Sequence, residues 1–344
     1  MKNISLEKSI TLQRIQWIDI AKGITIFFVI IGHTAPFDIL ERNMIFSFHM
    51  PLFFILSGYH FKIAQNWDEA RERFWKNVRH LLLPLFLLWC LNLLLPMFQG
   101  KEIFTIEIIK RNITALFWSS GVTFKGHPGL GMLWFMVSMF CGFQIINGIG
   151  LLFHGEYRGY LYASLAFIGM YLGTTQKWLP LNFDVTLVCV FFLYLGMLWK
   201  KHQDFLEKYC WFIFAAGSVF WSFCIQNQWY IELAARRYPL LWVGVVEAVA
   251  GTFAVAAVSR ALEGNAAVCR FLSFIGRNTM IIYGIHYLDR YLLPNRIYDA
   301  HWKIACVYRT LMVLGIFLIV YLLKEMIFKK VIRKIKVRWC RDEK

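Results

Sequence analysis

One run of seventeen residues, Trp17-Ile-Asp-Ile-Ala-Lys-Gly-Ile-Thr-Ile-Phe-Phe-Val-Ile-Ile-Gly-His33, limits the possible folds more than any other part of the chain. It is apolar and long enough to enter a bilayer, yet it carries Asp19, Lys22 and His33. Ionisable groups in hydrocarbon cost free energy unless they face a bundle interior or a watery cleft, so each marks a functional site by default. Lys22 and His33 are eleven residues apart, which is almost three helical turns, or roughly 16 Å along one face. They are therefore expected to line one cleft. Asp19, one turn before Lys22, is its neighbour on the helix surface and is expected to keep the ammonium charged.

The remaining sequence fits such a helix. Apolar residues make up 58% of the 344, mean hydropathy is +0.51, and long apolar runs alternate with short charged ones, the pattern of a multispanning membrane protein. The net charge of +16 does not indicate nucleic-acid binding, because the cations sit in short loops and a basic tail rather than on one soluble face. Eight scattered cysteines without a Cys-x-x-Cys pair read as small buried hydrophobes, with no metal site and no disulfide framework. The first apolar run is too long for a signal-peptide core and lacks a small-residue cleavage site, so it is expected to be retained as a span.

Apolar runs predict an all-α integral membrane protein with about ten transmembrane helices, near residues 18–36, 44–62, 80–98, 130–153, 160–175, 183–199, 210–227, 239–258, 271–289 and 304–328. An even count puts both termini on one side. With that side cytoplasmic, the inner segments hold 23 Lys/Arg and the outer loops 12, the bias expected of cytoplasmic loops. Residues 1–344 are thus expected to form a single domain ending in a basic cytoplasmic tail, 329–344, in the cell membrane. Ile103, Ile106, Ile109, Ile113, Leu116 and Phe117 recur at helical spacing opposite Glu107, Lys110 and Arg111, which predicts an interfacial helix on the outer surface.

Further chemistry-bearing residues fall at matching depths. His49 lies near the outer end of the second span, level with His33, while Lys22 lies near the inner face. Lys76 and Arg79 are one turn apart at the inner mouth and point together, as a phosphate cradle requires. The ninth span runs from Arg277 at its inner end to His286 near its outer end. On a straight helix these two lie on opposite faces, so only a break near Gly284 would bring both to one cleft.

Asp19-Ile-Ala-Lys22-Gly with Gly32-His33, Phe48-His-Met-Pro-Leu-Phe-Phe with Ser57-Gly-Tyr, Leu133-Trp-Phe-Met, and Phe274-Ile-Gly-Arg-Asn with Ile282-Tyr-Gly-Ile-His together resemble the acyltransferase-3 family. More narrowly they look like its sugar O-acetyltransferase branch, the fucose 4-O-acetylase type. The resemblance runs from residue 14 to about 325. It implies acyl transfer from cytoplasmic acyl-CoA, here acetyl-CoA, to a hydroxyl on an extracytoplasmic glycan, with no metal and no nucleic acid. The family's first-span signature, a basic residue, ten others and a histidine, falls on Lys22 and His33, with Lys where many members have Arg. The basic pair after the second span falls on Lys76 and Arg79.

These matches define the expected site. His33 would act as general base, with Lys22 and Asp19 beside it; Lys76, Arg79 and Arg277 would hold the donor; His49, His286 and Ser57 would position the acceptor. The acceptor pocket would draw on the loops around 99–127, 229–238 and 290–303. Membrane lipids, acyl-CoA and a sugar acceptor are the expected partners. The rival class is a transporter or flippase of a lipid-linked saccharide, which would show halves with matched broken helices.

Overall fold

Residues 15–36, 39–100, 105–155, 157–292 and 301–342 are described in a computed structural model, with side chains described as far as residue 327. The N-terminal tail with its three cations, parts of two expected acceptor loops (101–104 and 293–300) and the last two residues lie outside the described residues.

The described chain is helical: α1 (Gln16–Gly32), α2 (Leu40–His60), α3 (Trp67–Asn77), α4 (Leu83–Phe98), α5 (Ile106–Trp118), α6 (Trp134–Leu152), α7 (Tyr157–Thr174), α8 (Phe183–Lys201), α9 (Gln203–Lys208), α10 (Cys210–Gln226), α11 (Trp242–Leu262), α12 (Ala266–Arg277), α13 (Thr279–Leu292) and α14 (Trp302–Asp342). Side-chain caps start the helices that begin in polar segments. Asn66 accepts from the Glu69 N–H at α3, Thr105 from Ile108 at α5, and Asn265 from Ala267 and Val268 at α12, each satisfying amides with no acceptor inside the helix. Five stretches are long and apolar enough to cross a membrane: Trp67–Phe98, Gly131–Leu152, Pro180–Lys201, Trp242–Leu262 and Trp302–Ile327. α1, at 17 residues, is shorter than these five.

Three local features depart from the sequence expectation. The predicted ninth span is two helices that meet at Asn278, whose ψ of 16° ends α12, whereas α13 runs unbroken through Gly284. α3 joins α4 through a π-helical turn, Val78–Leu82, which inserts an extra residue per turn. α14 is 41 residues long, about 60 Å, so most of the basic tail is a helical extension of the last apolar segment. The expected surface helix is present as α5, with Ile106, Ile113 and Phe117 exposed.

Backbone contacts without side chains between them hold the centre together. Gly58 of α2 faces the Leu193 carbonyl of α8, and Gly196 of α8 faces the Ile55 carbonyl of α2; a Cβ on either glycine would overlap the opposing oxygen. α1 and α12 repeat the arrangement, with Gly23 against Leu272 and Gly276 against Asp19. Small residues permit this approach where helices associate by van der Waals packing rather than by water exclusion. α1 and α2 also pack against each other, and Trp17, Phe48, Phe54 and Phe192 fill the surrounding core.

Gly196→Val is expected to cost about 1–3 kcal/mol or more through overpacking against backbone, read as a lower midpoint of thermal unfolding in detergent. Gly148→Ala, whose methyl group would meet open space, should not lower the midpoint.

Candidate active site

α1 and α2 deliver their polar side chains to two cavities. The first, about 190 Å³, is lined by Lys22, Ser57 and Thr279 together with Ile26, Phe53, Phe135 and other apolar side chains. The second, about 30 Å³, is lined by His33, His49, Phe46, Trp134 and Glu232 and is large enough for only a small group or a water or two. Val29, Met50 and Tyr283 line both. Lys22 and His33 therefore face two adjoining cavities with a shared wall, rather than one open cleft. The Tyr283 hydroxyl donates to the Met132 carbonyl, which fixes that wall to the turn before α6.

His33 closes α1, its N–H bonded to the Val29 carbonyl at 3.1 Å; the residue is exposed, and it lines the small chamber. Its ring lies 5.3 Å from that of Phe46 and 5.6 Å from that of His286. His49 is 3% exposed, and its Nδ1 lies 2.8 Å from the Ile45 carbonyl. A carbonyl only accepts, so Nδ1 carries the proton and Nε2 keeps a lone pair. Phe46 stacks edge-on against both rings, 4.8 Å from His49.

His286 is 1% exposed. Its Nδ1 donates to Asp289 at 2.8 Å, which fixes the tautomer and leaves Nε2 basic and, among the described residues, without a hydrogen-bond partner. Asp289 also accepts twice from Arg309 of α14, at 2.6 and 2.8 Å. Arg309 in turn donates to the His33 carbonyl at 3.0 Å and to Thr34 Oγ1 at 3.1 Å. A single buried network thus ties His286 to the backbone of His33.

The far wall of the chamber is tied down in the same way. Glu232 accepts from Arg42 at 3.1 Å, and the Arg42 guanidinium stacks 3.8 Å over Phe46. Four residues on, Arg236 is bound by Asp184 at 2.6 Å, by Asn182 at 2.7 Å and by Ser120 at 3.0 Å. The segment between α10 and α11 is thereby held across the mouth.

Of the residues singled out by sequence, His33, His49 and His286 come together, and Lys22 and Ser57 share the neighbouring cavity. Asp19 is half-buried in α1. Lys76 and Arg79 are exposed at the Lys22 end, beside the π turn whose Leu81 lines the larger cavity. Arg277 is exposed as the last residue of α12 and lines neither cavity, and with Gly284 inside an intact helix the break that would have turned it inward is absent. Asp289, Arg309, Glu232 and Arg42 were not singled out. The His286-x-x-Asp289 spacing, one helical turn, was the available signal for Asp289.

Three imidazoles thus meet beside a small chamber among apolar helices. The family model for an acyltransferase domain, that of the acyltransferase-3 family, matches residues 15–324, and the chain belongs to this family. Membership supports O-acyltransferase activity in general, in a membrane protein. No curated protein and no solved structure matches the chain.

Asp289→Leu removes the carboxylate between His286 and Arg309 and is expected to cost about 3–5 kcal/mol, the usual penalty for breaking a buried pair. Adding Arg309→Met should restore much of the melting temperature without restoring activity, because His286 remains without its acceptor.

Proposed function

We propose that the protein is an acyl-CoA-dependent O-acetyltransferase of a cell-surface or lipid-linked sugar, a single-domain chain crossing the cell membrane about ten times with both termini cytoplasmic. The observation that carries this reading is the pair of adjoining cavities, one with Lys22 and Ser57, the other with His33 and His49, sharing Val29, Met50 and Tyr283. With the Lys22 end cytoplasmic, the donor's thioester arm enters the larger cavity from the inner face while Lys76 and Arg79 bind its phosphates at the mouth. The acceptor presents a hydroxyl from the opposite side. A chamber of about 30 Å³ admits that hydroxyl and the acetyl carbon but not a whole sugar ring, so the ring is held at the mouth near Glu232.

His33 takes the proton from the acceptor hydroxyl as its oxygen attacks the thioester carbonyl. The carbon–sulfur bond then breaks, the proton passes from the imidazolium to the leaving thiolate, and an ester and free CoA remain. His49, with its lone pair on Nε2, accepts a hydrogen bond from the acceptor and orients it. His286, held by Asp289, lies behind His33 and stabilises its protonated form only to the extent that it stays neutral itself.

CoA is expected to raise the thermal midpoint of the purified protein, because a ligand of the folded state alone adds to apparent stability. General-base help is typically worth roughly 10² to 10⁴ in rate, so His33→Gln should lose most acetyl transfer while CoA still stabilises the protein. Wild-type transfer by that variant would remove His33 from the role of base.

Lys76→Ala with Arg79→Ala should weaken CoA binding more than tenfold, at about 1.5–3 kcal/mol for each charge-assisted contact. Unchanged affinity would reduce both residues to membrane anchors.

A further inference from the structure

A third cavity, about 910 Å³, opens between the start of α7 and the end of α8 at the Lys22 end of the molecule. It shares no lining residue with the two cavities of the candidate active site. Its polar wall consists of hydrogen-bond donors. Tyr162 is fully buried at 0% exposure, and among the described residues its hydroxyl has no hydrogen-bond partner; the Arg158 Nε is also buried and unbonded. Lys201 and His202 stand at the rim, and no acidic residue is among the described residues lining it. Arg158 and Gly159 lie in the first turn of α7, whose amides have no acceptor within the helix, so the turn adds N–H donors and the positive end of the helix dipole. A Cβ on Gly159 would lie 2.6 Å from the Tyr194 hydroxyl, so glycine lets that phenol pack against the first turn of α7 at the cavity wall. This donor set suits an anion, and guanidinium, phenol and amide donors together suit phosphate.

The opposite side of the cavity identifies what carries the phosphate. Through Leu198 and His202 it adjoins a groove of about 760 Å³ between α8 and α10–α11, walled by Trp199, Phe205, Phe212 and Phe253. A soluble phosphate compound has no use for an apolar trough of that size, whereas a lipid needs both parts. α7 also exposes Phe167, Ile168 and Tyr171 beyond the cavity, a surface suited to acyl chains. We propose that this paired site binds an anionic phospholipid, its phosphate on Arg158, Tyr162 and the first turn of α7, and an acyl chain in the groove beside Trp199 and Phe253. The site stands whether or not the chain is an O-acetyltransferase. It places a lipid of the inner leaflet against α8 beside its glycine contact with α2, since Ile55, whose carbonyl faces Gly196, also lines the groove.

The test uses the full-length protein, delipidated in detergent, with phosphatidylglycerol, phosphatidylcholine, inorganic phosphate and CoA as separate probes. Binding is followed by native mass spectrometry and thermal shift. Phosphatidylglycerol is expected to bind in about one copy and stabilise the protein, phosphatidylcholine to bind more weakly, and neither inorganic phosphate nor CoA to displace the lipid. Tyr162→Phe removes only the unbonded hydroxyl, so it should leave the lipid-free midpoint unchanged or higher while lowering phosphatidylglycerol affinity about tenfold. Arg158→Gln should do so at least as strongly, and if that variant fails to fold, Tyr162→Phe carries the test alone. Wild-type lipid affinity in Tyr162→Phe, equal binding of phosphatidylcholine, or displacement by CoA would each overturn the proposal. Displacement by CoA with His33→Gln still inactive would assign the pocket to the acyl donor and leave the catalytic reading standing.

Discussion

A guanidinium buried among apolar helices is tolerable only beside a carboxylate, and this demand organises the whole His33 end of the molecule. Arg42 with Glu232, Arg236 with Asp184 and Arg309 with Asp289 are all buried and all join elements separated in sequence. Each pair has a geometric effect on the chamber. The first stacks a cation on Phe46, the ring between His33 and His49. The second pins the segment after α10 to α8 and to the segment after α5. The third aligns His286 and grips the end of α1. Pairs of this kind contribute little net stability compared with apolar replacements. Their value here lies in fixing where three imidazoles stand relative to one another.

Much of this was legible in the sequence, and what was missed has physical causes. The apolar runs located most of the helices to within a few residues because hydrocarbon length is a strict requirement. The eleven-residue spacing set the relation of Lys22 to His33, since helical geometry is the same wherever it occurs. The break at Asn278 was missed because the apolar run 271–289 reads as one span, although Gly276 and Asn278, residues of the types that end helices, were the available signal. The division into two cavities was also hidden, because it depends on how Met50 and Tyr283 from different helices meet across the centre. Nor could the fate of Arg277 be read locally, since the expected turn at Gly284 depended on tertiary packing.

Three cations counted among the outer loops illustrate the limit of reading charges by position. Arg42, Arg236 and Arg309 are buried in ion pairs rather than solvated. They are part of the site's framework and say little about topology. Setting them aside sharpens the asymmetry between the two ends, because the remaining cations of the outer loops are fewer still beside those of the inner segments and the α14 extension. The same sequence signal therefore holds two kinds of arginine, those in exposed segments and those that build the chamber, and only depth separates them.

The reciprocal glycine contacts have a mechanical consequence. Shifting α1 along α12, or α2 along α8, by a single residue would bring a Cβ to where a carbonyl oxygen now sits. Each of these two pairs is therefore locked in axial register like meshed teeth. A machine that carries its cargo by sliding either of these helices along its partner would need a seam to shear. A catalyst that receives its two substrates from opposite ends needs neither to move.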